Sequence, residues 1–123
     1  MDTKPLVLIA DDDADILALV RVRLERSGFA VISAHNGTEA LALASSRDPD
    51  IAIFDVGMPG LSGFDVTRLL RETKPDLPVI LLTARALDAD VEAGAAAGAN
   101  AYLTKPFSPQ DLEARVHELI DGG

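Results

Sequence analysis

Leu6-Val7-Leu8-Ile9-Ala10-Asp11-Asp12-Asp13 is an unbroken apolar run that stops at three acids. Five apolar residues in a row do not alternate, so neither face of the segment suits water. Such runs fit parallel strands covered on both sides by helices. Ile51-Ala52-Ile53-Phe54, ending at Asp55, and Val79-Ile80-Leu81-Leu82, ending at Thr83, are of the same kind. Phe29 to Ala34 and Ala101 to Thr104 read as weaker strands nearer the sheet edges.

The segments between these runs carry helical spacing. Ile16, Val20 and Leu24 are spaced by four, Leu17 joins their stripe, and Gly28 stands where a C-terminal cap is expected. Thr38 to Ser46 carries Ala40, Leu41 and Ala44. Ser62 caps a segment with Val66, Leu69 and Leu70, and Asp65 takes the acid position of a capping box. Ser108-Pro109-Gln110-Asp111 opens the last helix with a capping hydroxyl and a proline at the first helical position, and Leu112, Val116, Leu119 and Ile120 form its apolar face. Arg85 to Ala97 has only Leu87 and Val91 as large apolar residues and Gly94 in its interior. An interior glycine costs roughly 1 kcal/mol relative to alanine, so this segment is expected to be a loosely held helix that can move.

Strand and helix thus alternate five times. That order implies a doubly wound α/β fold: a five-stranded parallel sheet in the order 2-1-3-4-5 with helices on both faces, a single domain over residues 1–123.

Composition narrows the function. Of 123 residues, 48% are hydrophobic and 25% charged, a globular balance. Twenty Asp+Glu against 11 Lys+Arg give a formal net charge of −9, which disfavours direct binding of nucleic acid or of an anionic membrane. The absence of cysteine excludes disulfides, thiolate metal sites and cysteine nucleophiles. No apolar run approaches the ~18 residues of a membrane span, and the first residues do not read as a signal peptide, so a cytoplasmic location is expected.

The polar residues that interrupt the pattern share one address. Asp11, Asp12 and Asp13 follow strand one, Asp55 strand three, Thr83 strand four and Lys105 strand five. In an open parallel sheet these ends lie along one edge, and the winding reverses between strands one and three. Asp11, Asp12 and Asp55 are therefore expected to converge, with Thr83 and Lys105 beside them. Carboxylates crowded in this way either raise a pKa or bind a cation. An all-oxygen ligand set with no histidine nearby points to a hard ion, Mg²⁺. A carboxylate nucleophile, Mg²⁺, an ammonium and a hydroxyl make a phosphoryl-transfer site, with Asp55, the lone acid ending the central strand, as nucleophile. Asp13 reads instead as a helix cap. Thr83 and Tyr102 also suit plain strand positions.

The sequence resembles response-regulator receiver domains of two-component signalling, CheY-like proteins. The resemblance spans the chain and rests on Val7 to Asp13, Phe54-Asp55-Val56-Gly57-Met58-Pro59-Gly60, Leu82-Thr83-Ala84 and Tyr102-Leu103-Thr104-Lys105-Pro106-Phe107. It implies that Asp55 accepts phosphate from a histidine kinase or phosphotransfer protein. It implies that Asp12, Asp55 and the Gly57 carbonyl ligate Mg²⁺, with Asp11 acting through water. Lys105 would bind a phosphoryl oxygen, Lys105-Pro106 would be a cis peptide, and Thr83 and Tyr102 would be switch residues. The face made by the fourth helix, fifth strand and fifth helix would then regulate a downstream effector domain or protein, with a phosphorylation-dependent dimer as one outcome. Such a domain catalyses only its own phosphorylation and dephosphorylation.

Four positions depart from the commoner family pattern. Gly57 stands two residues after the nucleophile, where many receivers carry a longer side chain, and Arg85 stands two after Thr83. Both are expected to modulate phosphoryl lifetime. Asn100 and Ala101 replace acids that in one subfamily pair across a dimer. Two rival readings stand beside this one, an enzyme and a flavin module of the same topology. An aspartyl-phosphate phosphotransferase or phosphatase wants a second acid at position 57. A flavin module wants a Ser/Thr/Gly-rich phosphate loop where Asp11 to Asp13 stand. Asp121-Gly122-Gly123 after the last helix would suit a trimmed linker in a longer regulator.

Overall fold

The computed structural model describes residues 4–84 and 88–121. Ten elements alternate: β1 Leu6–Ala10, α1 Ala14–Arg26, β2 Ala30–Ala34, α2 Gly37–Arg47, β3 Ile51–Asp55, α3 Gly63–Thr73, β4 Val79–Thr83, α4 Asp88–Ala97, β5 Ala101–Thr104 and α5 Pro109–Asp121. All strand pairs are parallel, and the order is β2-β1-β3-β4-β5. This is the doubly wound topology expected from the apolar runs.

Side chains leave a strand alternately to its two faces, and the core divides accordingly. Val7, Ile9, Ile51, Ile53, Ile80 and Leu82 pack with Leu17, Val20 and Leu24 of α1 and Leu112 and Val116 of α5. Leu8, Ala10, Ala52, Phe54, Val79 and Leu81 pack with Ala40 and Ala44 of α2 and Val66 and Leu70 of α3. Every residue of β3 and β4 is buried, as unbroken apolar strands require.

The helix ends follow local chemistry. Asp13 caps α1, its carboxylate accepting from the amides of Asp15 and Ile16. Asn36 caps α2. Ser62 and Asp65 form a complete capping box on α3. The Ser108 hydroxyl accepts from the amides of Gln110 and Asp111 at the start of α5. Gly28 takes the left-handed conformation just past α1, with φ 96°.

The structure corrects two details and adds a third. Leu69 is exposed, since α3 turns Val66 and Leu70 inward and leaves it on the solvent side. Phe29 precedes β2 and fills the core under α1 instead of pairing in the sheet. Gly94 of α4 is buried, and a Cβ there would stand 3.2 Å from both Leu81 Cδ1 and Tyr102 Cδ2. The missing side chain lets α4 approach β4 and β5. Leu87 lies outside the described residues.

Candidate functional site

Three strand ends and one loop build the site. The parallel register sets the end of β1 beside the end of β3, with Ala10 opposite Phe54. Asp11 and Asp12 follow β1, and Asp55 ends β3. The sheet therefore delivers three carboxylates to one edge, and one oxygen from each lies within 4.8 Å of the others. Asp11 is fully buried, Asp55 is nearly so, and Asp12 is open to solvent.

Lys105 reaches this group from the loop after β5. The peptide between Lys105 and Pro106 is cis, as the resemblance implied. The Lys105 amide donates to the carbonyl of Thr83 at 2.6 Å, which fixes the loop to the end of β4. The ammonium stands 2.9 Å from Asp11 Oδ2 and 3.2 Å from Asp55 Oδ1. It thus bridges the buried acids of two different strands.

The two oxygens of Asp11 have different work. Oδ1 accepts from the Asp13 amide at 2.9 Å and turns the chain into α1. Among the described residues Oδ2 has no hydrogen bond of acceptable angle, and its contact with Lys105 is one of charge and proximity. Burial raises the Asp11 pKa, and the nearby Asp55 adds to that, while Lys105 and the Asp13 amide act in the opposite sense. Burial also opposes the charge on Lys105, but Asp11 and Asp55 together prevail and hold the ammonium above its ordinary range.

The remaining residues lie around this centre. Thr83 is buried at the end of β4. Gly57 is exposed, and a Cβ on it would stand 3.8 Å from Asp55 Oδ2, so its lack of a side chain leaves the mouth open at that point. Tyr102, opposite Leu81 in β5, is partly buried on the face covered by α4, with its ring against Gly94. Arg85 lies outside the described residues. A groove of about 360 Å³ lined by Ile16, Leu19, Pro106 and Phe107 opens beside Lys105.

The donor set fits a hard divalent cation. It is all carboxylate, and it holds a buried oxygen, Asp11 Oδ2, that stands 2.9 Å from the Lys105 ammonium. Two of the three acids are buried and one is open, which leaves one side accessible. Such partial exposure suits an ion that keeps water or phosphate oxygens in its shell.

Sequence reading missed the glycine contacts and one arginine. Arg71 of α3 donates to the Gly98 carbonyl from Nε at 2.9 Å and Nη2 at 2.7 Å, to Asn100 Oδ1 and to the Lys74 carbonyl. Asn100 Oδ1 also accepts from the Val79 amide. These partners are separated by up to 29 residues in sequence, so no local pattern reports them.

The fold and the site define the class: an open, doubly wound α/β protein with three acids and a lysine gathered where the winding reverses. A family model for the response regulator receiver domain matches residues 7–117, and the chain belongs to that family. It is 41% identical over 114 residues to the alkaline phosphatase synthesis transcriptional regulatory protein PhoP of Bacillus subtilis, covering 93% of this chain and 48% of that protein. It is 45% identical over 118 residues to the transcriptional regulatory protein PrrA of Mycobacterium tuberculosis, covering 96% and 51%. The chain spans about half the length of these curated relatives. The structure of a CheY-like receiver domain protein from Methanospirillum hungatei superposes with a TM-score of 0.93 at 30% identity, covering 98% of this chain and 96% of that one. Among the described residues no helix is long and apolar enough to cross a membrane.

Proposed function

We propose that this chain is a single receiver domain that works as a phosphorylation-operated switch, with Asp55 as the phosphoacceptor. The observation that carries this reading is the Lys105 ammonium held 3.2 Å from Asp55 Oδ1, beside two further carboxylates. A carboxylate oxygen of Asp55 attacks the phosphorus of a phosphohistidine. The P–O bond forms as the P–N bond breaks, and the electron pair leaves with the imidazole. Lys105 sits where it can meet a phosphoryl oxygen without leaving the site. The buried Thr83 hydroxyl stands at the neighbouring strand end to take a second one. Asp11, Asp12, Asp55 and the Gly57 carbonyl would hold Mg²⁺, with Asp11 acting through water. Bound Mg²⁺ supplies positive charge against the carboxylates and the phosphoryl oxygens.

The donor is a histidine kinase or phosphotransfer protein, and the apolar groove beside Lys105 gives its phosphohistidine-bearing segment a seat next to the acceptor. The output is a change at α4, β5 and α5 that a downstream effector domain or protein reads. The relatives' names, transcriptional regulators of twice this length, favour a DNA-binding effector. The phosphatase reading is weaker, because Gly57 stands where that chemistry wants an acid. Gly57 and Arg85 are assigned to phosphoryl lifetime.

The test is incubation with acetyl phosphate and Mg²⁺. The parent should gain the mass of one phosphoryl group and Asp55→Asn should gain none. Labelling of the Asn variant at another site would overturn the assignment.

A further inference from the structure

Gly63, the first residue of α3, lies directly against the backbone of Asp55. A Cβ on Gly63 would stand 2.8 Å from the Asp55 carbonyl oxygen, 3.1 Å from its carbonyl carbon and 3.2 Å from Leu81 Cδ2. The two closest of these atoms are main chain in the central strand, so they cannot swing aside as a side-chain tip would. The Gly63 amide also points back to the Val56 carbonyl, at 3.4 Å. Residues 56 to 62 therefore form a closed loop, pinned where it leaves β3 and where it enters α3. Gly57, whose carbonyl is assigned to the cation, lies inside that loop.

The Thr67 hydroxyl holds Gly63 in this place. It is fully buried and donates to the Gly63 carbonyl at 2.7 Å. A threonine bonded to the carbonyl four residues earlier is a common local feature of helices and means little by itself. Here the acceptor belongs to the residue seated on Asp55. Buried partners that orient a ligand change metal affinity by about 10–100-fold when they are lost.

We infer that Gly63, held by the Thr67 hydroxyl, is a positioning residue that sets the height of Asp55 and of the Gly57 carbonyl for cation binding and phosphoryl transfer. This rests on the assignment of Asp55 and Gly57 above. Gly63 acts by close approach, and Thr67 acts through Gly63.

The experiment measures Mg²⁺ affinity by amide NMR titration alongside denaturant stability, in the parent and four variants. Gly63→Ala should bind Mg²⁺ about tenfold more weakly and accept phosphate from acetyl phosphate more slowly. Gly28→Ala, strained at φ 96° with nothing within 4 Å of its added methyl, should lose stability yet bind as the parent does. Thr67→Val keeps the buried shape and removes the donor, and should also weaken binding. Thr67→Ser keeps the donor and leaves a small cavity, and should lose stability while binding as the parent does. A packing role predicts the reverse order for the two Thr67 variants. Parent-like affinity in Gly63→Ala, or weaker binding in Thr67→Ser than in Thr67→Val, would overturn the inference. Should Gly63→Ala not fold, the Thr67 pair decides alone. A parent that neither binds Mg²⁺ nor takes phosphate would sink the assignment of the site itself. A parent that does both, with variants that match it, sinks only the role of Gly63.

Discussion

The Lys105 ammonium stands 2.9 Å from Asp11 Oδ2, an oxygen that no well-angled hydrogen bond reaches among the described residues. Asp11 is fully buried, so Lys105 is the main group that compensates its charge. Removing one partner of a fully buried pair costs about 3–5 kcal/mol. Lys105 keeps 20% of its side-chain surface in water, so Lys105→Met is expected to cost less, about 2 kcal/mol in urea unfolding near neutral pH. Adding Asp11→Asn should recover part of that loss, because the stranded charge is gone. A double variant less stable than Lys105→Met alone would show that the pair does not govern this corner of the fold.

The acid group should also report on the cation. Asp12 is open to solvent, so Asp12→Asn should change the metal-free stability little. Mg²⁺ at ten times its dissociation constant should stabilise the parent by about 1.4 kcal/mol through mass action. The Asn variant should gain much less if Asp12 is the direct ligand proposed above. Unfolding of both proteins with and without Mg²⁺ at matched ionic strength measures this, since matching keeps screening from imitating binding. Equal stabilisation of the two would remove Asp12 from the ligand set.

Most of the site was legible because it rests on strand ends. An apolar run that stops at Asp11 or Asp55 states where a strand meets the sheet edge, and topology then brings those ends together. The caps at Asp13, Ser62 and Ser108 were legible because each depends on residues within three positions. What escaped depends on distance in space. Gly63 and Gly94 look like ordinary helix-weakening glycines until Asp55, Leu81 and Tyr102 are placed against them. That Lys105 would bridge Asp11 and Asp55, more than merely lie near them, follows from the turn of the loop after β5 and from the 2.6 Å bond of its amide to Thr83. The exposure of Leu69 depends on how α3 is rotated, and helical spacing alone admits either neighbour.

A clasp between α1 and α5 should give a distinct pH dependence. The Ser27 hydroxyl donates to Glu113 Oε1 at 2.6 Å, and Arg23 Nε donates to Oε2 at 2.8 Å. The Ser27 hydroxyl foremost, and Arg23 with it, hold the Glu113 carboxyl below its ordinary range. A folded-state pKa below the unfolded one contributes stability that is present above the unfolded value and is lost as pH falls through the folded value. Glu113→Gln should therefore be less stable than the parent near neutral pH and match it in acid. A gap that persists unchanged into acid would show that packing, not charge, holds the clasp.

The last expectation concerns the joint between α3 and the turn before β5. The Arg71 guanidinium holds the Gly98 carbonyl with two donors and Asn100 Oδ1 with one. Its planar fork fits this set of acceptors, and a lysine ammonium cannot reproduce it. Losing these bonds strands partly buried acceptors, so Arg71→Ala should cost about 1–3 kcal/mol. Gly98 adopts φ 100°, and a Cβ on it would stand 2.9 Å from Arg71 Cγ and Nε and 3.1 Å from Cδ. Gly98→Ala therefore carries two penalties, a backbone strain of about 1–2 kcal/mol and a clash with the arginine stem. Only the second depends on Arg71. In the Arg71→Ala background the clash is absent and the strain remains, so the double variant should be more stable than the two single losses predict by about 1 kcal/mol. Denaturant unfolding of the four proteins of this cycle measures the coupling. Strictly additive losses would mean that the arginine stem does not press on Gly98, and that the turn is shaped by its own backbone alone.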